Sequence, residues 1–486
     1  MTTTAQSPTR APAADSAAAG RRGWLMLTVL LAAQFMALLD VTIVNVAMPT
    51  MGTDLHASGA ALQLIVSGYT VSYAMLLITG ARLGDLFGRR RMFTIGVVGF
   101  TVASLLCGLA PSAGPLIAAR FVQGAAAALT MPQIISVIQI RFAGNARTTA
   151  LSAYSAVIAV GGIVGQVVGG VLVTANLFGA SWRPIFLVNV PIGIVVVALA
   201  PVLVPADPAR GARKLDLVGL AFAVPAVFLV VLPLVLGHQE GWPAWTFGCL
   251  AAGLLLGAAF IAVERRVAAR GGDPLLNLAV LRVPGMAFGM VALVLTMIAY
   301  GGFLFSFALH LQAGLGDSAL RAGLMFAPAA AMFGLCGFYW RKLPAAIHHW
   351  LIPGGLLIAA AAFVGVGLSL RTGTNGGVWL YVVLVAFGLA MGPAFGSLMA
   401  HSLVRVPVAE AADASGLLTT TIQLGQAIGV AAFGGLFLTL AGRPTAQSSA
   451  HAFSTTIGWQ ALLLVIGAAA GLLLARTARA VVLSAR

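Results

Sequence analysis

Two charged residues lie within long apolar stretches of the sequence, and they are the first candidates for chemistry. Asp40 belongs to the stretch 24–48, and Arg120 belongs to the stretch 114–140. A charge inside a membrane costs about 3 kcal/mol or more, so such a residue usually faces a polar cavity or a partner. We therefore interpret Asp40 as a titrating carboxylate with Arg120 as its partner. A proton on Asp40 would free Arg120, and a cationic substrate could compete for Asp40. A permanent structural ion pair is the alternative.

The position of each residue within its stretch decides whether the two can meet. Asp40 lies eight residues before the end of its stretch, and Arg120 lies six residues after the start of its own. An α-helix rises 1.5 Å per residue, so the two lie about 12 Å and about 9 Å from the same end of the bundle. We therefore predict that Asp40 and Arg120 form a pair.

The short connection between the second and third apolar stretches is a second candidate. It reads GARLGDLFGRRR over 80–91. Glycine permits a tight turn. The carboxylate of Asp85 could accept hydrogen bonds from a helix N-terminus or from an arginine. Such a contact would latch one conformation, and the alternative is that the arginines only set the topology. The residues of this latch loop are Gly84, Asp85, Gly88, Arg89 and Arg90.

The fifth apolar stretch contains a glycine-rich run, GGIVGQVVGG over 161–170. Five glycines in ten residues weaken a helix and flatten one of its faces. This favours a hinge or a close sliding contact between helices, and plain packing is the alternative. The residues of this glycine motif are Gly161, Gly165, Gln166, Gly169 and Gly170.

Uncharged polar side chains within the apolar stretches could line a cavity, and they could equally form hydrogen bonds between helices. They are Gln34, Asn45, Tyr69, Tyr73, Gln123, Gln133, Gln423 and Gln426. His310 and His401 fall near the ends of apolar stretches, so we predict that both lie at the membrane interface.

Several chemistries lack their motifs in this sequence. There is no P-loop, no G-x-S-x-G elbow and no cluster of His, Cys and carboxylates with metal-ligand spacing. The three cysteines lie far apart within apolar stretches. We therefore expect no enzyme activity, no metal and no cofactor.

The composition identifies the class of protein. Hydrophobic residues make up 60% of the 486 residues and charged residues 8%, whereas soluble domains carry about 25% charged residues. A membrane-spanning helix needs about 20 apolar residues. Fourteen stretches qualify: 24–48, 60–82, 92–110, 114–140, 148–175, 185–204, 216–236, 244–263, 284–312, 319–340, 350–370, 377–402, 414–440 and 458–475.

The basic residues orient these stretches. If the N-terminus is cytoplasmic, 22 of the 27 Lys and Arg fall in cytoplasmic segments and four fall in outer loops. The positive-inside rule thus predicts a multi-pass protein of the cytoplasmic membrane with both termini in the cytoplasm. It also explains the net charge of +15, so we expect no nucleic-acid partner.

The sequence contains a sign of duplication. GQVVG over 165–169 is similar to GQAIG over 425–429, and these become the fifth helices of two six-helix halves once the seventh and eighth stretches are set aside. Duplicated halves are typical of transporters. The resulting domains are a disordered tail (1–22), a first bundle (23–204), a linker with two extra helices (205–283), a second bundle (284–476) and a cytoplasmic tail (477–486).

Four further patterns carry a family resemblance. They are LDVTIVNVAMP over 39–49, RFVQG over 120–124, the glycine run, and WRPIFLVNVPIG over 182–193. Together they resemble the major facilitator superfamily, in its fourteen-span drug:proton antiporter branch (the EmrB/QacA type). The sequence departs from the family pattern at Leu86, usually basic, at Ala81, usually glycine, and at Gln166, usually proline.

The resemblance implies an all-α integral membrane protein with two six-helix bundles and an inserted two-helix hairpin. It implies a monomer that works by alternating access, in which protons enter as amphipathic compounds leave, with Asp40 and Arg120 in proton coupling. Its partners would be the small substrate, protons and the bilayer. The alternatives are a dedicated exporter of one endogenous metabolite or antibiotic, and a lipid-handling or sensor protein without ion coupling.

Overall fold

A computed structural model describes residues 20–206, 216–237, 241–272, 274, 278–403, 406, 411–442 and 445–484. These residues form helices and no strands. The α-helices are α1 Arg21–Asp54, α2 Gly59–Phe87, α3 Arg89–Gly108, α4 Ala113–Arg141, α5 Gly144–Ala175, α6 Pro184–Leu187, α7 Asn189–Leu203, α8 Leu217–Leu236, α9 Ala244–Ala269, α10 Met286–Leu309, α11 Ala319–Tyr339, α12 Leu351–Leu370, α13 Gly377–Leu403, α14 Ala411–Ala441 and α15 Ala446–Ser484. A π-helical segment, His310–Gly314, continues α10.

Twelve helical segments of the described residues are long and apolar enough to cross a membrane, and Val164–Ala175 and Val218–Leu234 are shorter apolar helical stretches. The chain is thus a multi-pass membrane protein. Its first helix extends past both predicted ends, from Arg21 to Asp54, so part of the predicted N-terminal tail is helical.

Polar side chains cap the N-termini of three of these helices. Ser58 and Ser318 accept hydrogen bonds from the first turns of α2 and α11, and Asp216 does so for α8. Between α2 and α3 there is one residue, Gly88, with φ of 91°. This backbone region disfavours side chains, so glycine permits the tight turn that the sequence predicts there.

The helices pack in two sets with matching patterns. In the first set α1 lies against α5 and α7, and α4 lies against α2 and α3. In the second set α10 lies against α14 and α15, and α13 lies against α11 and α12. Between the sets, α5 contacts α11 and α2 contacts α14. The matching pairs relate α1 to α10, α2 to α11 and α5 to α14.

Helices α8 and α9 pack on each other, and α8 also contacts α2 and α14. They therefore lie beside α2 and α14, one of the two helix pairs through which the sets contact each other. The outer helix, α9, leaves its apolar side chains uncovered: Leu254 is 68% exposed and Leu255 is 71% exposed. Such a surface suits contact with lipid.

The largest apolar core joins the two sets near one face. We call the face at which α1 begins the terminal face, and the face at which α1 meets α2 the opposite face. Met48 and Leu62, near the opposite face, share a core with Phe305 and Phe326 of the second set. Near the terminal face, the first set has a separate core around Leu30, Phe93, Ile134 and Val196.

Candidate functional site

The predicted pair forms at the centre of the first set. Arg120 Nη1 donates to Asp40 Oδ2 at 2.5 Å, and the two side chains are 1% and 0% exposed. The helix that carries Asp40 extends six residues beyond the predicted end at Met48. The carboxylate is thus deeper than the estimate from sequence, but the pairing itself is present.

Two amide side chains complete the carboxylate's surroundings. Gln123 Nε2 donates to Asp40 Oδ1 at 2.8 Å, and Asn189 Nδ2 donates to the same atom at 3.0 Å. Gln123 Nε2 also donates to Ser104 Oγ at 2.8 Å. These side chains are buried, and each hydrogen-bond partner of the carboxylate among the described residues is a donor.

The guanidinium of Arg120 is held just as firmly. Its Nε donates to the carbonyl oxygen of Ile65 at 2.8 Å, and its Nη1 also donates to Gln123 Oε1 at 2.6 Å. Its Cζ lies 4.8 Å from the ring centroid of Tyr69 and 5.6 Å from that of Phe186. Cation–π contacts of this kind stabilise a desolvated charge by about 2 kcal/mol.

Five helices therefore build one ion cluster, which we define as Asp40, Arg120, Gln123, Asn189 and Ser104. They come from α1, α4, α7 and α3, and α2 contributes the carbonyl of Ile65. A proton on Asp40 would remove the charge that holds Arg120. The cluster can thus convert protonation into a rearrangement of helices.

Sequence reasoning missed Asn189 and Ser104 as members. Asn189 is the first residue of α7 and lies within the quoted motif over 182–193. An amide among apolar residues is the signal that could have identified it. Ser104 gave no comparable signal, because a serine on a membrane helix can bond its own backbone. Gln123 and Tyr69 are two of the predicted cavity residues, and both contact the ion pair.

Replacing Asn189 by leucine is expected to slow transport about 10- to 100-fold, since a buried hydrogen bond to a charged group contributes about 1.5–3 kcal/mol. Asn45→Ala is the matched control, because the Asn45 amide donates only to carbonyls of its own helix, Val41 and Thr42. Initial transport rates per inserted protein measure both. Equal rates for Asn189→Leu and the wild type would remove Asn189 from the site.

The latch loop forms its predicted arginine contact. Arg89 Nη2 donates to Asp85 Oδ1 at 2.7 Å, across the Gly88 turn. Arg90 Nη1 donates to the carbonyl oxygen of Pro201 at 3.3 Å. Gly84 lies so close to Gln133 of α4 that a Cβ would overlap its amide. The carboxylate therefore bonds an arginine, one of the two partners that the sequence allowed.

A buried arginine links this region to the chain beyond α9. The Arg82 side chain is 7% exposed, and its Nη2 donates to the carbonyl oxygen of Pro274 at 2.6 Å. Arg82 lies within the motif over 80–91 but is not one of the five predicted latch-loop residues. Its hydrogen bond joins the end of α2 to Pro274, which lies between α9 and α10.

The glycine motif lies between two helices. A Cβ on Gly161, Gly165 or Gly169 would meet Leu38, Thr42 or Ile43 of α1, respectively, and one on Gly170 would meet Leu320 of α11 at 2.7 Å. Conversely, a Cβ on Gly323 of α11 would lie 2.5 Å from the carbonyl oxygen of Gln166. Helix α5 thus contacts its own set on one side and the other set on the second side.

The remaining polar candidates are buried to different degrees. Gln34, Asn45, Tyr73, Gln133 and Gln423 are all buried, with exposures of 1–9%, and Gln426 lies 3.9 Å from the sulfur of Met297. Neither amide atom of Gln166 has a hydrogen-bond partner among the described residues. His310 is 0% exposed, so its side chain lies inside the bundle; its position at the membrane interface stays a prediction.

The ion cluster has no charged counterpart at the matching positions of the second set. Gly425 packs on Val294 and Met297 as Gly165 packs on Leu39 and Thr42, which matches Asp40 with Leu295. Gly388 packs on Ala329 as Gly124 packs on Tyr69, which matches Arg120 with Leu384 and Gln123 with Phe387. The matching region instead holds an aromatic cluster of Phe303, Phe363 and Phe387.

The sequence is similar to named transport proteins. It is 39% identical to the probable actinorhodin transporter of Streptomyces coelicolor over 91% of this chain and 78% of that protein. It is 38% identical to the cephamycin export protein CmcT of Amycolatopsis lactamdurans over 86% of this chain and 85% of that protein.

The fold is similar to a solved structure, the inward-facing crystal structure of a bacterial homologue of the human lysosomal transporter Spinster. The TM-score is 0.67 at 19% identity, over 94% of this chain and 98% of that one. The family profile described as Major Facilitator Superfamily matches residues 30–430. With its all-helical fold and two matching helix sets, the chain belongs to the Major Facilitator Superfamily and is a membrane transporter.

Proposed function

We propose that the protein exports amphipathic organic compounds across the bacterial cytoplasmic membrane in exchange for protons. The observation that carries this proposal is the buried ion cluster around Asp40 and Arg120. Ionisable residues within membrane spans are rare and mark ion pathways or proton relays. Export is supported by the names of the two relatives, one a transporter of actinorhodin and the other a cephamycin export protein.

The proposed topology has fourteen spans, with α6 and α7 together forming the sixth and α5 and α8 counted in full. An even count places both termini on the terminal face, and the distribution of Lys and Arg makes that face cytoplasmic. The bundles are residues 23–204 and 284–476, with α8 and α9 as an inserted hairpin in 205–283. The protein acts as a monomer.

In this orientation the apolar core that joins the two sets lies on the outer side. Substrate would then enter from the cytoplasmic side, where the first set has a core of its own. Movement to the other state requires α5 to move against α11, and α2 against α14. Gly170, the glycine of the motif that packs on α11, offers a surface without a side chain for this movement. The Asp85–Arg89 contact holds the end of α2 against α3 in the present state.

Protonation of Asp40 supplies the coupling step. The proton neutralises the carboxylate, the guanidinium of Arg120 loses its counter-charge, and the contacts between α1, α4 and α7 change. A cationic substrate could compete with the proton for the same carboxylate. The membrane potential contributes about 2.3 kcal/mol per charge per 100 mV to an exchange that moves net charge.

The substrate is an aromatic or amphipathic compound of the antibiotic type. A dedicated exporter of one endogenous metabolite is the second candidate, favoured by the fact that each of the two relatives is named for one antibiotic. A panel of several unrelated amphipathic dyes and antibiotics separates the two. Export of one compound alone would support the dedicated exporter.

Uncoupler-sensitive efflux tests the function directly. Energised cells that express the protein are loaded with ethidium, and efflux is measured with and without an uncoupler. We expect efflux to exceed that of cells without the protein and to stop when the uncoupler removes the proton gradient. Efflux that continues unchanged with the uncoupler would contradict proton coupling.

A further inference from the structure

Two pairs of neighbouring arginines lie at the terminal face of the first set. Arg21 and Arg22 begin α1, and Arg90 and Arg91 belong to the first turn of α3. Helix α7 contacts both α1 and α3, and its last residue, Leu203, lies at the same face. The end of α7 therefore lies between the two pairs. We call Arg21, Arg22, Arg90 and Arg91 the arginine cluster.

One arginine of each pair binds the end of α7. Arg22 Nη2 donates to the carbonyl oxygen of Val202 at 3.0 Å. Arg90 Nη1 donates to the carbonyl oxygen of Pro201, the residue before it, at 3.3 Å. A helix would satisfy the Pro201 carbonyl from four residues later, but that residue is Pro205, which has no N–H. The two guanidinium groups thus lie side by side at the negative end of one helix.

The positive charge of the arginine cluster has no counter-charge within the part of the chain that the structure describes. No acid there forms an ion pair with any of the four, and the carboxylate nearest in sequence, Asp85, pairs with Arg89. Three of the four side chains are exposed and Arg90 is half-buried. Each guanidinium carries five N–H donors, and like charges held close repel. An anion with several acceptor atoms would therefore stabilise the cluster.

The arginine cluster lies at the depth of the lipid headgroups. Two apolar helical segments long enough to span a membrane begin at Arg21 and Arg89, and a third ends at Leu203. Trp24 follows within one turn of α1 and is partly exposed, and tryptophan is enriched at membrane interfaces. All three helices thus reach the membrane boundary where the arginines lie, so the guanidinium groups are at the level of lipid phosphates.

Exposed apolar side chains continue from the arginine cluster along the outside of the helices. On α3, Ile95 and Val98 lie four and seven residues after Arg91, and thus on the same face of the helix. On α7, Leu199 lies one turn before Val202, also on one face. These four apolar side chains are 40–62% exposed. A charged cluster that continues into apolar helix faces matches a molecule with an anionic head and hydrocarbon chains.

We propose that the arginine cluster binds the phosphate of an anionic phospholipid, whose acyl chains lie along the exposed apolar faces of α3 and α7. The phosphate oxygens accept from guanidinium N–H groups that do not bond the carbonyls of α7, and the planar guanidinium suits phosphate. A zwitterionic headgroup would bring a further cation to the arginines, so an anionic headgroup is preferred. The proposal requires the multi-pass membrane fold and does not depend on proton coupling.

Lipid binding by the purified protein in a neutral detergent tests the arginine cluster. Native mass spectrometry counts the molecules of dioleoylphosphatidylglycerol, which is anionic, and dioleoylphosphatidylcholine, which is zwitterionic, that stay bound at each lipid concentration. We expect the wild type to bind the anionic lipid more tightly. Hydrogen bonds to charged groups are the strong ones, so Arg22→Gln/Arg90→Gln should weaken the tightest binding of that lipid about 10- to 100-fold. Binding of the zwitterionic lipid should not change.

A matched control removes the same charge elsewhere. Arg265 and Arg266 are exposed and lie near the end of α9, so Arg265→Gln/Arg266→Gln should bind the anionic lipid as the wild type does. Equal weakening in the two double variants would mean that net charge alone attracts the lipid, and this outcome overturns the proposal. Equal affinity of the wild type for the two lipids also overturns it, because the arginines would then serve only to end α7.

A second variant keeps the test valid if the first does not fold. Arg21→Gln/Arg91→Gln changes exposed side chains and leaves the contacts with α7 in place. It should weaken binding of the anionic lipid severalfold, and unchanged binding overturns the proposal. Inorganic phosphate, added in excess and compared with chloride at equal ionic strength, should leave the lipid bound. Displacement by phosphate alone would indicate a site for free anions and would overturn the lipid assignment. None of these measurements requires transport, so their failure is distinguishable from loss of uncoupler-sensitive efflux.

Discussion

Cells that express the Asp40→Asn variant are expected to lose uncoupler-sensitive ethidium efflux, down to the rate of cells without the protein. The asparagine has nearly the same shape but cannot carry a proton or a negative charge. It therefore cannot pass through the protonation step that releases Arg120. Initial efflux rates, normalised to the amount of protein in the membrane, give the measurement.

A matched control lies on the same helix. Asp54 ends α1, and its carboxylate is 38% exposed and pairs with Arg183 at 3.0 Å. Exposed ion pairs contribute about 0–1 kcal/mol, so Asp54→Asn should retain most of the efflux. Retained active efflux in Asp40→Asn would contradict the coupling role.

A second variant separates coupling from stability. Removing one partner of a buried ion pair leaves an uncompensated charge and destabilises by about 3–5 kcal/mol. In Asp40→Asn the charge of Arg120 is left without its partner, so this variant could fail to fold. Asp40→Asn/Arg120→Gln removes both charges and is expected to regain thermal stability without regaining efflux. Recovery of efflux in the double variant would mean that the pair is only structural.

The sequence was sufficient to predict the pairing of Asp40 with Arg120, because the cost of buried charge leaves few other arrangements. It could not predict Asn189 and Ser104, since position along a helix does not determine which neighbour a polar side chain faces. The depth of Asp40 was underestimated because α1 continues through Pro49 to Asp54. Proline inside a helix usually indicates its end, and neighbouring helices overcame that preference here.

The same difference applies to the glycine motif and to His310. Five glycines indicated a flat helix face, but the sequence could not indicate that this helix contacts both α1 and α11. His310 lies near the end of an apolar stretch, which favours an interface. The π segment, the contact with Ser449 and the stacking on Phe453 keep its side chain buried. These are tertiary contacts, with no signal in local sequence.

The two helix sets share their packing but differ in their chemistry. Close glycine contacts recur at Gly165 and Gly425, whereas Asp40 and Arg120 of the first set both match leucine in the second. Backbone packing is thus conserved between the sets where helices meet, and the ion cluster is an addition to one of them. Any proton binding in the second set must therefore use other residues.

Gly165→Leu is expected to reduce efflux to background while the protein remains folded in the membrane. A Cβ at this position would overlap Thr42 Oγ1 and lie 3.0 Å from the carbonyl oxygen of Leu39. A leucine would therefore separate α1 from α5 in the present state, or fix α5 against α11. Overpacking costs about 1–3 kcal/mol, so we expect a lowered melting temperature with insertion retained. Gly257→Leu on α9, where a Cβ meets nothing within 4 Å, should be neutral.

A smaller substitution shows whether this contact acts directly. Gly165→Ala is expected to slow efflux severalfold, and adding Thr42→Ala removes the hydroxyl that the new methyl group would meet. The Thr42 hydroxyl donates only to carbonyls of its own helix, Leu38 and Leu39, so Thr42→Ala alone should have little effect. A double-mutant cycle should then show coupling, with efflux partly restored in the double variant. Additive losses would show that the contact between the new methyl group and Thr42 is not what slows efflux.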